Sequence, residues 1–262
     1  MSEVQNPKPK GAVLICFALK EEAAPFRKIE AGKSRISILV TGIGRKNAEK
    51  SVREFLAGGV GVPASRSQDA PSGQARLART LAPPELVLTC GFAGGLNPDL
   101  KLGDVVFEIP SRSRRGDEAQ TENDETLEAP YVSGYEQLIA AGAKPAKFFC
   151  ADCIATTSGE KKKLRAETGA DAVEMESGAI HAVCRERGIP CATVRVISDT
   201  ANENLPLDFN QVAKPDMNLD YGKLALAILK SPGKIGALMK LQKKTRLAAE
   251  RLAAVLEKIV SA

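Results

Sequence analysis

Tryptophan is absent, histidine occurs once, and aromatic residues make up only 4% of the 262 positions. Chemistry that needs paired histidines or a His-rich metal set is therefore excluded, because His181 stands alone in a segment of helical spacing. Cys150 and Cys153 form a C-x-x-C, but no second pair accompanies them, so neither a zinc or redox centre nor any other cofactor is expected. The six cysteines lie mostly inside apolar runs, where a free thiol behaves as a small hydrophobe, and the compartment they suggest is a reducing cytoplasm. Long apolar runs are also missing. Gly11 to Leu19 is too short to span a bilayer, and no small-residue cleavage pattern follows it, so neither a transmembrane helix nor a signal peptide is expected. Charge of one sign is lacking too: 37 basic residues are dispersed among 32 acids, and the net charge of +5 arises without a basic stripe outside the C-terminal region. A nucleic-acid partner is not expected.

What is present is an apolar content of 44% and 22 glycines, enough for a sizeable core with tight loops. The repeated unit is strand, glycine loop, helix. Ala12 to Ala18 and Ile36 to Val40 read as strands, Glu21 to Lys28 as a turn or short helix, and Thr41-Gly-Ile-Gly44 leads into a helix over Arg45 to Ala57. Gly58 to Gln74 reads as a surface insertion before a helix at Ala75 to Leu81 and a strand at Leu86 to Cys90. Gly91 to Gly95 is expected to form a tight loop and Ser111 to Glu128 an exposed one. Val105 to Ile109 and Lys147 to Ile154 read as further strands. Tyr135 to Ala141, Ser158 to Glu167 and Glu176 to Arg187 have helical spacing, the last ending at Gly188, while Cys191 to Ile197 reads as a strand followed by the polar pair Ser198-Asp199. Such alternation predicts one α/β domain over 1–262 built on a largely parallel sheet, with 223–262 as a C-terminal helical extension. In that extension Leu241, Ala248, Leu252, Val255 and Ile259 share a face opposite Lys243, Lys244 and Arg251. The expected role of the basic side is a solvated surface; a membrane surface is the sharper alternative, with only weak binding expected.

Ligands of open α/β sheets bind beyond the carboxyl ends of the strands, and three acids stand there: Glu22, Glu176 and Asp199. Taken singly, Glu176 could be a helix N-terminal charge and Asp199 a turn residue. Three is the number of acids that nucleoside cleavage calls for, one to protonate the departing base, one to orient water and one to grip sugar hydroxyls, but the count alone does not identify the reaction.

At these residues the sequence resembles the purine nucleoside phosphorylases and methylthioadenosine/S-adenosylhomocysteine nucleosidases. The matching segments are Phe17-Ala-Leu-Lys-Glu-Glu22, Thr41-Gly-Ile-Gly-Arg45, Thr89-Cys-Gly-Phe-Ala-Gly-Gly95, Leu102-Gly-Asp-Val-Val106, Ala172-Val-Glu-Met-Glu-Ser177 and Val194-Arg-Val-Ile-Ser-Asp199, in the family's order. Asn47 in place of a third glycine argues against a dinucleotide fingerprint. The resemblance implies a three-layer α/β/α sandwich with a mixed central sheet. It makes Asp199 the proton donor to purine N7 and Glu22 the base that orients water, with Arg195 and Ser198 supporting the acids. Glu176 and Met175 would hold the ribose, Ile43 would approach the 5′ substituent, and Gly91 and Gly94 would permit close backbone approach. Glu174, Phe92 and Ile154 complete the implied substrate-binding set. The family also implies a homo-oligomer.

Two departures accompany the match. Phe92 stands where nucleosidases carry a small hydroxyl residue, and the segment around Cys153 and Ile154 lacks the aromatic that would stack on the base. The C-terminal extension with its Ser231-Pro-Gly-Lys234 turn is similar to the hopanoid-associated branch, which would imply an adenosylated lipid substrate. Hydrolysis is the expected reaction, since Thr89 and Phe92 occupy the loop positions where phosphorylases place an arginine and a serine for phosphate. A phosphate-dependent phosphorylase is the alternative, and a non-catalytic nucleoside-binding module the second; a scaffold would leave the glycine loops unexplained.

Overall fold

A computed structural model describes residues 12–30, 35–58, 84–108, 129–212 and 232–261. The expected insertion beyond Gly58, the helix at Ala75 to Leu81, the loop Ser111 to Glu128 and the first part of the extension lie outside the described residues.

The strands are β1 (Val13–Phe17), β2 (Ile36–Val40), β3 (Leu86–Gly95), β4 (Val105–Glu108), β5 (Lys144–Ala146), β6 (Phe148–Cys150), β7 (Ala172–Glu174) and β8 (Cys191–Asp199). They form one sheet in the order β2-β1-β3-β8-β4-β5, with β7 paired to both β3 and β6. The pairs β1–β2, β1–β3 and β3–β8 are parallel, whereas β4–β8 and β3–β7 are antiparallel. The pairs β4–β5 and β6–β7 are parallel as well, so the sheet is mixed and, as expected, largely parallel.

The helices are α1 (Lys20–Ile29), α2 (Arg45–Leu56), α3 (Ala129–Ala140), α4 (Ser158–Thr168), α5 (Ser177–Glu186), α6 (Phe209–Val212) and α7 (Ile235–Ser261). β1 shows why the sheet must be covered twice. Successive side chains of a strand point to opposite faces, and every residue of β1 is buried. Val13, Ile15 and Phe17 pack with Ala23 and Phe26 of α1 and with Ala248 and Leu252 of α7. Leu14 and Cys16 face the other way, onto Ala48 and Val52 of α2 and Ile180 and Val183 of α5. The result is the expected α/β/α sandwich. On α7 the residues Ala248, Ala249, Leu252, Ala253 and Leu256 form the buried stripe, at the spacing that a helix needs to present one face. Burying its two leucines contributes about 1.5–3 kcal/mol each. Among the described residues no helix is long and apolar enough to cross a membrane.

Three local expectations need correction. Gly91 to Gly95 is strand, not a tight loop, because β8 hydrogen-bonds alongside it as far as Gly94 while β7 takes Gly94 and Gly95. Lys147 to Ile154 is not one strand: Lys147 separates β5 from β6, and the ladder ends at Cys150. Ser198 and Asp199 are the last residues of β8 and do not follow it.

Candidate active site

The carboxyl ends of β1, β3, β7 and β8 open on a cleft of about 670 Å³. Each acid reaches it by a local device. Glu22 lies in the first turn of α1, and its two oxygens accept the N–H groups of Leu19 and Phe92, both at 2.8 Å. Glu176 occupies the N-cap position of α5, yet its side chain caps nothing there. Its Oε1 instead accepts the N–H of Gly44, 2.8 Å away at the start of α2, so it neutralises the positive end of a different helix. Asp199 ends β8, with Oδ1 accepting from Ser198 Oγ at 2.7 Å and Oδ2 from the ammonium of Lys161. Neither Glu176 nor Asp199 is an ordinary cap or turn residue.

β3 lies between β1 and β8, and its glycines make room for two of these acids. A Cβ on Gly91 would stand 2.8 Å from Glu22 Oε1 and 2.9 Å from Arg195 Nη1, and the backbone there has a φ of +145°, which side chains other than hydrogen rarely adopt. A Cβ on Gly94 would meet Val173 at 3.2 Å and Asp199 Oδ2 at 3.5 Å. Glu22 and Asp199 thus stand against different stretches of β3, and both line one cleft.

Arg195 lies behind the acids. It is 1% exposed. Its Nη2 bonds Glu174 and, at 3.0 Å, Thr89 Oγ1, and its Nη1 sits 3.3 Å from Glu176 Oε2. Glu174 also accepts the N–H of Glu176 at 3.0 Å, the N–H of Ser177 at 2.8 Å and the hydroxyl of Ser177 at 2.6 Å, which saturates it. Burial pulls Glu174 upward, but Arg195 and these donors hold it below the usual carboxylate range.

Glu22 and Glu176 go the other way. Burial is the main cause for both, and Glu22 is pushed up to about 7 despite the Phe92 N–H, with the Glu176 charge adding to the rise and Arg195 opposing it. A carboxyl poised there can take a proton from water near neutrality. Because its folded value of about 7 exceeds the ordinary 4.5, Glu22 favours the fold fully below pH 4.5, loses that contribution as pH rises to about 7, and is constant above. The expected result is that Glu22→Ala removes this part of the fall in unfolding free energy between pH 4.5 and 7, measured by urea unfolding against wild type at each pH. An unchanged slope would assign the titration to another group.

Of the sequence-predicted residues, Glu22, Ile43, Phe92, Gly94, Ile154, Glu174, Met175, Glu176, Ser198 and Asp199 all line the cleft. Gly91 and Arg195 stand directly behind it, against Glu22. Sequence reasoning missed Lys161, Phe209, Leu205 and the pair Leu241 and Thr245 of α7. Phe92 and Phe209 are the aromatic side chains of the lining. Ile154 is held in place by Asn210, which accepts its N–H at 3.0 Å and donates to its carbonyl at 2.9 Å. Cys150 and Cys153 are free thiols, and among the described residues no group of three His, Cys, Asp or Glu is placed to hold a metal.

Known proteins are similar to this chain in sequence and in fold. Aminodeoxyfutalosine nucleosidase of Campylobacter jejuni is 28% identical over 146 residues, which are 48% of this chain and 61% of that protein. A 5′-methylthioadenosine/S-adenosylhomocysteine nucleosidase of a Marinomonas species is 30% identical over 151 residues, 50% of this chain and 63% of that protein. The chain thus spans about three fifths of the length of these relatives. In fold, the futalosine hydrolase of Helicobacter pylori superposes with a TM-score of 0.59 at 18% identity, covering 96% of this chain and 97% of that one. The methylthioadenosine/S-adenosylhomocysteine nucleosidase of the same organism, bound to butyl-thio-DADMe-Immucillin-A, gives 0.58 at 18% identity, with coverages of 96% and 98%. The model of the Phosphorylase superfamily matches residues 17–261, from the end of β1 to the last turns of α7, and with the sheet and its carboxylates in that frame the chain belongs to the phosphorylase superfamily.

Proposed function

We propose that the chain hydrolyses the N-glycosidic bond of a purine nucleoside of the adenosine type. The observation that carries this reading is the pair formed by Glu22, a buried acid brought to about 7, and Asp199, an acid held by two donors, on opposite sides of β3 in one cleft. The names of the two relatives, both nucleosidases, support it. In the reaction, Glu22 takes a proton from water as the oxygen attacks C1′. The electron pair of the C1′–N9 bond passes to the purine, which receives a proton at N7 from Asp199. Glu176 and Met175 hold the ribose, and Ile43 faces the 5′ substituent. Hydrogen bonds from the ribose to Glu176 strengthen as positive charge develops on the sugar, so they raise rate as well as affinity.

Phosphorolysis is the second reading, and the surroundings of the acids speak against it. A phosphate dianion needs free cationic or N–H donors. The N-terminus of α2, where an anion would be expected to settle, is already occupied by the Glu176 carboxylate on Gly44. Arg45 is turned to Asp152, 3.2 Å away, and to the carbonyl of Cys150, while Arg195 and Thr89 are spent on each other and on Glu174. The test is base release from a set of adenosine-type nucleosides after rigorous phosphate removal, with the sugar product identified. Free sugar without added phosphate is the expected product. Strict phosphate dependence with a sugar 1-phosphate would replace this reading by the phosphorylase one, and binding without cleavage of any nucleoside would leave a binding module.

A further inference from the structure

Lys161 is 0% exposed, and lysine is almost never fully buried unless it is paired. Its position is set by α4. Thr157 and Glu160 form a reciprocal cap at the start of that helix, with the Glu160 N–H on Thr157 Oγ1 at 3.2 Å and the Thr157 N–H on Glu160 Oε2 at 3.0 Å. The next residue, Lys161, is thereby turned inward under the end of β8. Its Nζ meets three acceptors: Asp199 Oδ2, the carbonyl of Thr200 at 2.9 Å and the carbonyl of Glu203 at 3.0 Å. An ammonium has three N–H donors and a neutral amine two, so three acceptors that bring no hydrogen of their own match the charged form. The side chain of Glu203 is turned elsewhere, to Lys244 and to the Thr200 N–H at 3.0 Å.

Ser198 completes the arrangement. Its single hydroxyl hydrogen has two acceptors within reach, Asp199 Oδ1 at 2.7 Å and the carbonyl of Ala93 at 3.3 Å. When Oδ1 carries a proton, the hydroxyl can turn to Ala93, and when Oδ1 is bare it can turn back.

We propose that Lys161 is a positioning residue for the acid at Asp199, fixing its carboxyl through Oδ2 and stabilising the carboxylate that remains once the proton has gone to the leaving base. This rests on the nucleosidase reading above. As the C1′–N9 bond breaks and its electrons enter the purine, the proton on Oδ1 passes to N7. The negative charge left on Asp199 is then met by the Lys161 ammonium and by the Ser198 hydroxyl swinging from Ala93 to Oδ1. The proton that Glu22 took from water returns to Asp199 through solvent, so the cycle consumes one water and no other reagent. A lysine that only tied residues 200–203 to α4 would need the two carbonyls alone. The contact with Asp199 joins it to the chemistry.

The test compares two substrates: an adenosine-type nucleoside that the wild type cleaves, and the same nucleoside methylated at N7, whose base departs without needing a proton. Lys161→Met is expected to lower kcat on the parent nucleoside by roughly 100-fold while KM moves less than about threefold, and to lower kcat on the methylated one by less than about threefold. In the Asp199→Asn background the same substitution is expected to add less than about threefold, since both changes remove one function. Equal losses on the two substrates, or a full further loss in the Asp199→Asn background, would overturn the role and leave Lys161 as a loop anchor. Lys161→Gln, which keeps an amide donor for the carbonyls without the charge, carries the same comparison if the methionine variant does not fold. Absence of base release by the wild type would sink the nucleosidase reading itself; with an active wild type, the substrate comparison judges Lys161 alone.

Discussion

Asp199→Asn is expected to reduce base release by roughly 100-fold or more, the scale of a lost general acid, with the protein still folded. The surroundings explain why the fold survives. An asparagine in the same place can keep its oxygen on the Lys161 ammonium and turn its amide toward Ser198 Oγ, whose hydrogen then goes to the carbonyl of Ala93, 3.3 Å away. Every partner retains a complementary group. What the amide cannot do is surrender a proton to the purine. Steady-state base release, read together with thermal unfolding, checks both halves. Activity within a few-fold of wild type would take Asp199 out of its role, and a collapse of the melting transition would show that the Lys161 pair is held by charge and that shape does not suffice.

The acids were legible in the sequence because each stands where a strand gives way to a polar residue, and strand ends are where open sheets receive ligands. Arg195 was legible only through the family resemblance; in the structure it is buried within the run Val194-Arg-Val-Ile197 and paired with Glu174 and Glu176. Lys161 was not legible. It opens the run Lys161-Lys-Lys163, which on sequence alone looks like a solvated face, and only the turn of α4 buries the first of the three while Lys162 and Lys163 stay outside. Phe209 was hidden differently, in the four-residue helix α6, too short to show a period. The glycines of Gly91 to Gly95 suggested a loop because glycine is the usual turn former. The ladders that keep them extended come from β7 and β8, some eighty to a hundred residues away, and no local pattern carries that information.

Arg195→Met is expected to destabilise the fold by about 3–5 kcal/mol near neutral pH, more than any substitution on the rim of the cleft, because it leaves buried carboxylates without their cation. Methionine fills much of the space of the arginine stem, so loss of packing is the smaller part. Glu174 would keep its three donors from Glu176 and Ser177 but lose the guanidinium that counters its burial, and Glu176 would keep only the backbone N–H groups of Gly44 and Met175. Both then rise by desolvation. In wild type, Glu174 has a lowered value, so its contribution to stability is present above the ordinary carboxylate range and is lost on acidification. In the variant both acids have raised values, so they favour the fold at low pH and cost stability as pH climbs past the ordinary 4.5. The difference between the two proteins should therefore be largest above pH 7 and shrink steadily toward pH 5, as followed by urea unfolding across that range. Arg195→Lys, which keeps the charge but not the two-pronged reach to Glu174 and Glu176, should recover part of the loss at high pH. A deficit that stays the same from pH 5 to 8 would mean that Arg195 stabilises by packing and hydrogen bonding to Thr89 and Cys90, and that its charge is not what keeps the two glutamates in place.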